Sequence, residues 1–205
     1  MSRPYASILP PTEGAVLVVL AGTTKPLSGR DLARISGVSP NGAWKALRRL
    51  SEHGVVKEQA GGGRATLYTL NRNHLASDAI LTLTRLRIVL IDRLKEQLGT
   101  WPIQPLHASI FGSVARGDGG PASDVDIFVV RPRAVIEDDV QWRSQIDALS
   151  DAILAWTGNP ASVSEITGSD IRRLRMEQPK IVDSVIREGI LLVGESATHM
   201  LIKRK

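Results

Sequence analysis

One strand-turn-strand segment constrains the fold of this chain more than any other. His107-Ala-Ser-Ile-Phe111 is short and apolar enough to be a buried strand, and it runs directly into Gly112-Ser113. After a glycine-rich loop comes Ser123-Asp124-Val-Asp126-Ile-Phe-Val-Val130, a second strand with two carboxylates at i and i+2. Because side chains two apart on a strand point to the same face, we expect Asp124 and Asp126 to project together.

The residue types in this segment indicate nucleotide chemistry. A glycine at a strand end lacks a Cβ, so a phosphate can approach the backbone, and Ser113 adds a hydroxyl at the start of a short helix whose amides favour anions. Two adjacent carboxylates repel unless a cation lies between them, and hard oxygen ligands select Mg²⁺ or Mn²⁺. A divalent cation beside a phosphate-binding turn is the minimum apparatus for phosphoryl or nucleotidyl transfer.

The pattern Gly112-Ser113-x-x-Arg116-Gly117 and then Ser123-Asp124-x-Asp126-x-x-Val129 resembles the nucleotidyltransferase superfamily that includes DNA polymerase beta, and most closely its minimal nucleotidyltransferases. The resemblance covers Leu106 to about Gly194. It implies a small mixed sheet with helices, Mg²⁺ (or Mn²⁺) held by Asp124 and Asp126, and a nucleoside triphosphate (NTP) as donor. The residues that it places at the nucleotide are Gly112, Ser113, Arg116 and Ser123. For Arg116, a structural salt bridge to the domain's own carboxylates is the alternative.

A third carboxylate on a later strand usually completes the catalytic site of that superfamily. The candidate here is Glu165, which follows Gly158-Asn159-Pro160, a turn suited to precede a strand. Glu replaces the commoner Asp, and Val163 shares its face, so Glu165 alternatively lies over the edge of the core or is solvated. The resemblance thus gives a catalytic set of Asp124, Asp126 and Glu165. Without Glu165, the domain is expected to bind nucleotide and metal but to transfer slowly or not at all.

Charge is distributed unevenly along the 205 residues. Residues 1–75 carry ten Lys/Arg and four Asp/Glu, net +6; residues 76–105 are net +1, and residues 106–205 are net −2. A basic amino-terminal third followed by a slightly acidic remainder favours two modules, the first with a polyanion as partner. The alternative is a solvated surface that happens to be basic.

Two helix starts lie close together in the basic third. Ser28, with an acid at Asp31, is a variant of the capping box, and Ser39-Pro40 begins a second helix after a stop at Gly37. This is the helix-turn-helix arrangement. The side chains expected to be buried on the two helices are Leu32, Ile35, Ala43, Leu47 and Leu50.

A hairpin follows the two helices. The strand-like runs Val55–Gln59 and Arg64–Leu70 are separated by Gly61-Gly62-Gly63. The whole stretch from Leu27 to Leu70 resembles the winged helix-turn-helix family, which implies that the second helix enters the major groove of double-stranded DNA while the wing touches the backbone or minor groove. The residues implied to face DNA are Asn41, Trp44, Lys45, Arg48 and, on the wing, Arg64. The alternative is a winged helix that mediates dimerisation or binds protein.

From Asn73 to Leu98, apolar residues repeat at three- and four-residue steps, which predicts a long amphipathic helix ended by Gly99. It would pack on the second domain or make a homodimer. The expected fold is α+β: a winged helix-turn-helix over residues 1–75, a long connecting helix and linker over residues 76–105, and a nucleotidyltransferase-fold mixed sheet with flanking helices over residues 106–205.

The chain has no cysteine, which excludes disulfides, thiolate catalysis and cysteine-based zinc sites. Its longest apolar stretches are too short for a membrane span, so we expect a cytoplasmic protein without a membrane partner.

The expected function is Mg²⁺-dependent transfer of a nucleoside monophosphate from an NTP to an unidentified acceptor (protein, RNA or small molecule), coupled to DNA binding. The alternative is a DNA-binding transcription regulator, antitoxin-like, whose second domain only senses nucleotide. Resemblance to the minimal nucleotidyltransferases suggests a toxin-like protein partner.

Overall fold

In the computed structural model, which describes residues 8–63, 65–117, 123–177 and 179–202, the chain is a mixed α+β protein with two sheets. It divides into an N-terminal unit that ends at Leu86 and a C-terminal unit that begins at Arg87. Across these described ranges, no helix is both long and apolar enough to cross a membrane.

The N-terminal unit has the topology of a winged helix. Its antiparallel sheet has the order β1-β3-β2, and the predicted pair of helices and the predicted hairpin are both present. Its elements are α1 (Pro11–Ala21), β1 (Leu27–Ser28), α2 (Gly29–Ser36), α3 (Pro40–Glu52), β2 (Val56–Ala60), β3 (Thr66–Leu70) and α4 (Ser77–Thr84).

Both helix starts of the helix-turn-helix are capped as the sequence predicts. The Oγ of Ser28 accepts from the backbone N–H of Asp31 at 3.2 Å, and the Ser28 hydroxyl donates to the Asp31 carboxylate at 2.7 Å. That hydrogen bond lowers the pKa of Asp31. Ser39 accepts in the same way from Gly42 at 3.1 Å. Each cap satisfies one backbone donor that the helix leaves without a partner.

The prediction that Ile35 is buried is wrong. Ile35 is 50% exposed, whereas Leu32 and Ala33 are buried. The inward-facing stripe of α2 runs along the buried Leu32 and Ala33 and the half-buried Ser36, and Ile35 falls just outside it.

The predicted long connecting helix is interrupted at Arg85, between α4 and α5 (Leu86–Gly99). The hydroxyls of Thr82 and Thr84 donate back to carbonyls of the preceding turn, on Asp78 and Leu81. Such back-bonding competes with the regular helical hydrogen bonds and favours a bend.

The C-terminal unit, which also includes α5, contains a four-stranded mixed sheet with the order β6-β5-β4-β7. Strands β5 and β6 are parallel, while β4 is antiparallel to both β5 and β7. The remaining elements are β4 (His107–Ile110), α6 (Gly112–Arg116), β5 (Val125–Arg131), α7 (Val140–Thr157), β6 (Ala161–Thr167), α8 (Ile171–Glu177), α9 (Lys180–Glu188), β7 (Ile190–Gly194) and α10 (Ala197–Leu201).

The two faces of this sheet have separate cores. On one face Val125, Ile127 and Val129 of β5 pack with side chains of α5 and α7, including Trp142. On the other face Phe128 and Val130 pack with α8, α9 and α10. Because side chains alternate along the strand, Asp126 lies on the same face as Phe128.

Candidate functional site

The two acids of the Asp-x-Asp motif lie at the start of β5. Asp126 is half-buried on the strand, and Asp124 is exposed one residue before it. Burial raises the pKa of the Asp126 carboxyl, and the negative charge of Asp124 raises it further. The structure therefore brings Asp124 and Asp126 together closely enough to repel each other.

Gly112 lies directly against this carboxylate. Its φ is +66°, in the left-handed region that side chains rarely adopt. A Cβ built on Gly112 would overlap the Oδ2 of Asp126 and lie 3.1 Å from its Cγ. In addition, the N–H of Phe111 donates to the carbonyl of Asp126 at 3.0 Å. Glycine is thus required here both by the backbone conformation and by the space that the Asp126 carboxylate occupies.

Arg116 and Glu188 add one positive and one negative charge near the pair. Arg116, at the end of α6, donates to the Glu188 carboxylate at 2.7 Å, which is the salt bridge that the sequence left open. The positive charge of Arg116 also lowers the pKa of Asp126, whereas Glu188 raises it. Glu188 was not predicted because it lies 72 residues further along the chain, at the end of an ordinary helix.

Arg87 fixes the short helix that carries Ser113 and Arg116. Its Nε donates to the carbonyl of Val114 at 2.7 Å, and its Nη2 donates to the carbonyl of Ala115. Carbonyls in the last turn of a helix have no partner within that helix, so the guanidinium acts as a cap. The sequence shows only an arginine in a helix, and nothing there indicates this role.

Asn159 holds the segment before β5 in place. Its side chain is buried, and its Nδ2 donates to the carbonyl of Ser123 at 3.1 Å. Next to it, the N–H of Val125 donates to the carbonyl of Pro160 at 2.9 Å. These hydrogen bonds fix Ser123 and Val125, the residues on either side of Asp124. The sequence indicates a turn here but not this second role.

Glu165 is not brought together with the other two acids. In the parallel register of β5 and β6, Glu165 pairs with Val129 and so lies on the face opposite Asp126. Its carboxylate accepts from the Nε of Arg131 at 2.7 Å, from the indole Nε1 of Trp142 at 3.0 Å, and from Arg143. The expectation that Glu165 is the third catalytic acid is therefore wrong. Glu165 shares a face with Val163, which packs against the core, and this agrees with the alternative that Glu165 lies over the edge of the core.

The face of β6 that does accompany Asp126 carries Ser162 and Ser164. Within the ranges that the structure describes, no group of three or more His, Cys, Asp or Glu is placed to hold a metal ion. Asp124 and Asp126 still fit Mg²⁺, because this ion keeps several waters and is commonly bound through one or two carboxylates plus substrate phosphates.

The residues predicted to face DNA form one stripe along α3. Asn41, Trp44, Lys45 and Arg48 recur at i, i+3, i+4 and i+7, and all four are exposed. The Arg48 guanidinium lies 5.8 Å from the centre of the Trp44 ring. It also pairs with Glu52 at 2.9 Å. Arg64, the predicted wing contact, lies outside the described residues.

Comparison with known proteins bears on the C-terminal unit. Residues 90–190 match the nucleotidyltransferase domain family. This match spans the Gly112-Ser113 turn, the Asp124 and Asp126 pair, and Glu165. No curated protein matches the chain.

Solved structures with some likeness to the chain include proteins of Lactococcus lactis and Streptococcus pyogenes. A mutant of Lactococcus lactis ZitR in apo form is 22% identical over 46% of this chain and 70% of its own, with a TM-score of 0.35. Wild-type ZitR in complex with DNA is 21% identical over 43% of this chain and 62% of its own, with a TM-score of 0.35. The adhesin competence repressor AdcR from Streptococcus pyogenes is 19% identical over 45% of this chain and 72% of its own, also with a TM-score of 0.35.

Replacing Gly112 by Ala is expected to strain the backbone and, in addition, to disturb the Asp126 carboxylate. A positive φ costs an alanine roughly 1–2 kcal/mol, and Gly37→Ala measures that strain alone because a Cβ at Gly37 (φ +71°) meets nothing within 4 Å. At Gly112 the Cβ must also displace the Asp126 carboxylate. We expect Gly112→Ala to lose Mn²⁺ binding, measured by the paramagnetic resonance of the free ion, while Gly37→Ala retains it. Equal Mn²⁺ affinity in the two variants would contradict this account.

The raised pKa of Asp126 gives a pH-dependent prediction for the protein in EDTA. The folded state holds the proton of the Asp126 carboxyl more tightly than the unfolded chain does. The protonated carboxyl therefore stabilises the folded state most below its unfolded pKa, and this contribution is lost as pH rises through the folded pKa. Asp126→Asn should therefore raise the melting temperature at pH 7 and leave it near wild type below about pH 4. Asp151→Asn, on the exposed side of α7, is the control and should show neither change. A lower melting temperature for Asp126→Asn at pH 7 would refute the prediction.

Removing the Glu165 carboxylate should destabilise the C-terminal unit. Arg131 is only 8% exposed, and Glu165→Gln leaves its charge without a partner, at roughly 3–5 kcal/mol of unfolding free energy. Glu188→Gln breaks a single pair to the more exposed Arg116 and should cost at most about 1 kcal/mol. Urea unfolding measures both. Wild-type stability of Glu165→Gln would show that this network is not structural.

Proposed function

We propose that this chain is a Mg²⁺-dependent nucleotidyltransferase that moves a nucleoside monophosphate from an NTP to an acceptor. The observation that carries the proposal is the contact between Gly112 and Asp126, where the absent Cβ leaves room for the carboxylate. It joins the phosphate-binding turn to the metal-binding acids within the segment that matches the nucleotidyltransferase domain family. The acceptor is a protein, an RNA or a small molecule.

Each residue of the site has a proposed part. Asp124 and Asp126 hold Mg²⁺ or Mn²⁺, which supplies positive charge against the triphosphate when bound. Gly112 and Ser113 bind the phosphates through backbone amides and a hydroxyl, and Ser123 lies at the nucleotide. Arg116 neutralises phosphate charge and is held in place by Glu188.

The N-terminal unit is proposed to bind double-stranded DNA through the exposed stripe of α3. Lys45 and Arg48 would neutralise phosphates, while Asn41 and Trp44 would contact base edges or sugars. Arg64 is the proposed wing contact. The support is the winged-helix topology, the exposure of all four α3 residues, and the net charge of +6 over residues 1–75.

A second candidate function is favoured by the position of Glu165. Its carboxylate is engaged on the opposite face, so the described part of the chain offers no third strand-borne acid at Asp124 and Asp126. A domain with this site would bind nucleotide and metal without transfer. The chain would then be a transcription regulator, antitoxin-like, with a toxin-like protein as partner; a homodimer fits either function.

Transfer of label distinguishes the two functions. NTPs radiolabelled at the α-phosphate are incubated with the protein and Mg²⁺ or Mn²⁺, alone and with a lysate later separated into RNA, protein and small molecules. The Asp124→Asn, Asp126→Asn double variant is the negative control, and Asp151→Asn is the matched charge control. Label in one fraction that disappears only in the double variant is the expected result. Metal-dependent nucleotide binding without label in any fraction would support the regulator instead.

Lys45→Ala should weaken DNA binding in a salt-dependent way. Loss of one phosphate contact reduces the slope of log affinity against log salt by about 0.9. Fluorescence anisotropy with a mixed-sequence duplex measures the slope. Arg49→Ala is the matched control because Arg49 is also exposed on α3 but lies off the stripe and pairs with Glu13. Equal effects of the two substitutions would contradict the proposed DNA-binding face.

A further inference from the structure

A cleft lies in the C-terminal unit, at the end of the sheet remote from the two acids. Its volume is about 590 Å³. Its wall includes Leu106, just before β4, and Arg133, just after β5. Since β5 runs from Val125 to Arg131, its length separates the cleft from Asp124 by about 20 Å. The cleft is therefore distinct from the proposed nucleotidyl-transfer site.

Three arginines line this cleft. Arg133 follows β5, and Arg172 and Arg175 lie on α8. The Nε of Arg133 donates to the carbonyl of Gly168 at 3.2 Å, and the Nε of Arg175 donates to the carbonyl of Met200 at 2.8 Å. These bonds orient two of the guanidinium groups through one nitrogen only. Of the acids that the structure describes, none forms an ion pair with any of the three arginines.

A neighbouring arginine shows the ordinary arrangement. Arg173 also lies on α8, but it pairs with Asp170 at 3.0 Å and does not line the cleft. The cleft wall contains one acid, Glu195, which lies 3.2 Å from the Nδ1 of His199. Three guanidinium groups against one carboxylate leave the cleft with an excess of positive charge.

The rest of the wall is apolar and closely built. Leu106, Ile171 and Met200 contribute apolar side chains. A Cβ on Gly168 would lie 2.8 Å from the Cδ1 of Leu106 and 3.0 Å from the Cγ of Arg133. The absence of a side chain at Gly168 thus allows an apolar residue and a cation to lie side by side in the wall.

We propose that this cleft binds a nucleoside oligophosphate. A planar guanidinium can bind two phosphate oxygens. Three guanidinium groups therefore fit a ligand with several linked phosphates better than they fit an anion with a single charge. The apolar wall would contact the base, which an inorganic oligophosphate lacks. The volume is within the range of small-molecule sites. The proposal does not rest on nucleotidyl transfer: it assigns a second, separate ligand site to the same unit.

Titration calorimetry of the full chain in EDTA tests the proposal, with ATP, GTP and inorganic triphosphate as probes. The protein is the Asp124→Asn, Asp126→Asn double variant, which removes the proposed metal site. ATP or GTP should bind, and Arg172→Gln or Arg133→Gln should each weaken binding at least tenfold. Arg173→Gln, the matched control, should stay within twofold. Thermal unfolding checks that each variant is folded.

Absence of nucleotide binding at millimolar concentration, or equal affinities for Arg172→Gln and Arg173→Gln, would overturn the proposal. Inorganic triphosphate binding as tightly as ATP and GTP would overturn its nucleoside part. Failure of label transfer by the unmodified chain would leave these outcomes unaffected, because the calorimetry uses a variant that lacks the two acids.

Discussion

Every side chain of β5 must point to one face of the sheet or to the other, and the rest of the C-terminal unit depends on this constraint. Val125, Ile127 and Val129 build the core with α5 and α7, which fixes Asp126 on the opposite face. There the acid meets Gly112, whose missing side chain leaves it room. Strand β6 is parallel to β5 and pairs Glu165 with Val129, so Glu165 lies on the face opposite Asp126. There its carboxylate pairs with Arg131 and has a structural role.

Features that depend on neighbours in the sequence could be predicted. The caps at Ser28 and Ser39, the Gly-Ser turn and the paired acids are each encoded within a few residues, so residue type and spacing were sufficient. Helix α1 was missed because it is apolar on nearly all sides and shows no 3.6-residue period. Arg87 and Asn159 reach carbonyls 27 and 36 residues away, and no local pattern indicates such contacts.

The charges at the carboxylate pair work against the folded chain. Burial and the charge of Asp124 both favour the protonated form of Asp126, and the charge of Arg116 partly offsets them, so the ionised form of Asp126 is held at the expense of stability. Carboxyls whose pKa is raised by burial and by a neighbouring like charge are common at functional sites. At Glu165 three donors surround one carboxylate, so no second acid lies against it in that network.

The position of Arg87 determines where another module could be joined to the C-terminal unit. Arg87 lies three residues before Leu90, on the side of α5 that packs into the core, and its guanidinium caps α6. One residue inserted between Arg87 and Leu90 would rotate Arg87 by about 100° around the helix axis and withdraw the cap. An insertion before Arg85, where the helix is already interrupted, would leave that spacing intact. A different amino-terminal module could therefore be joined ahead of Arg85 without altering the hydrogen bonds that support the Gly-Ser turn.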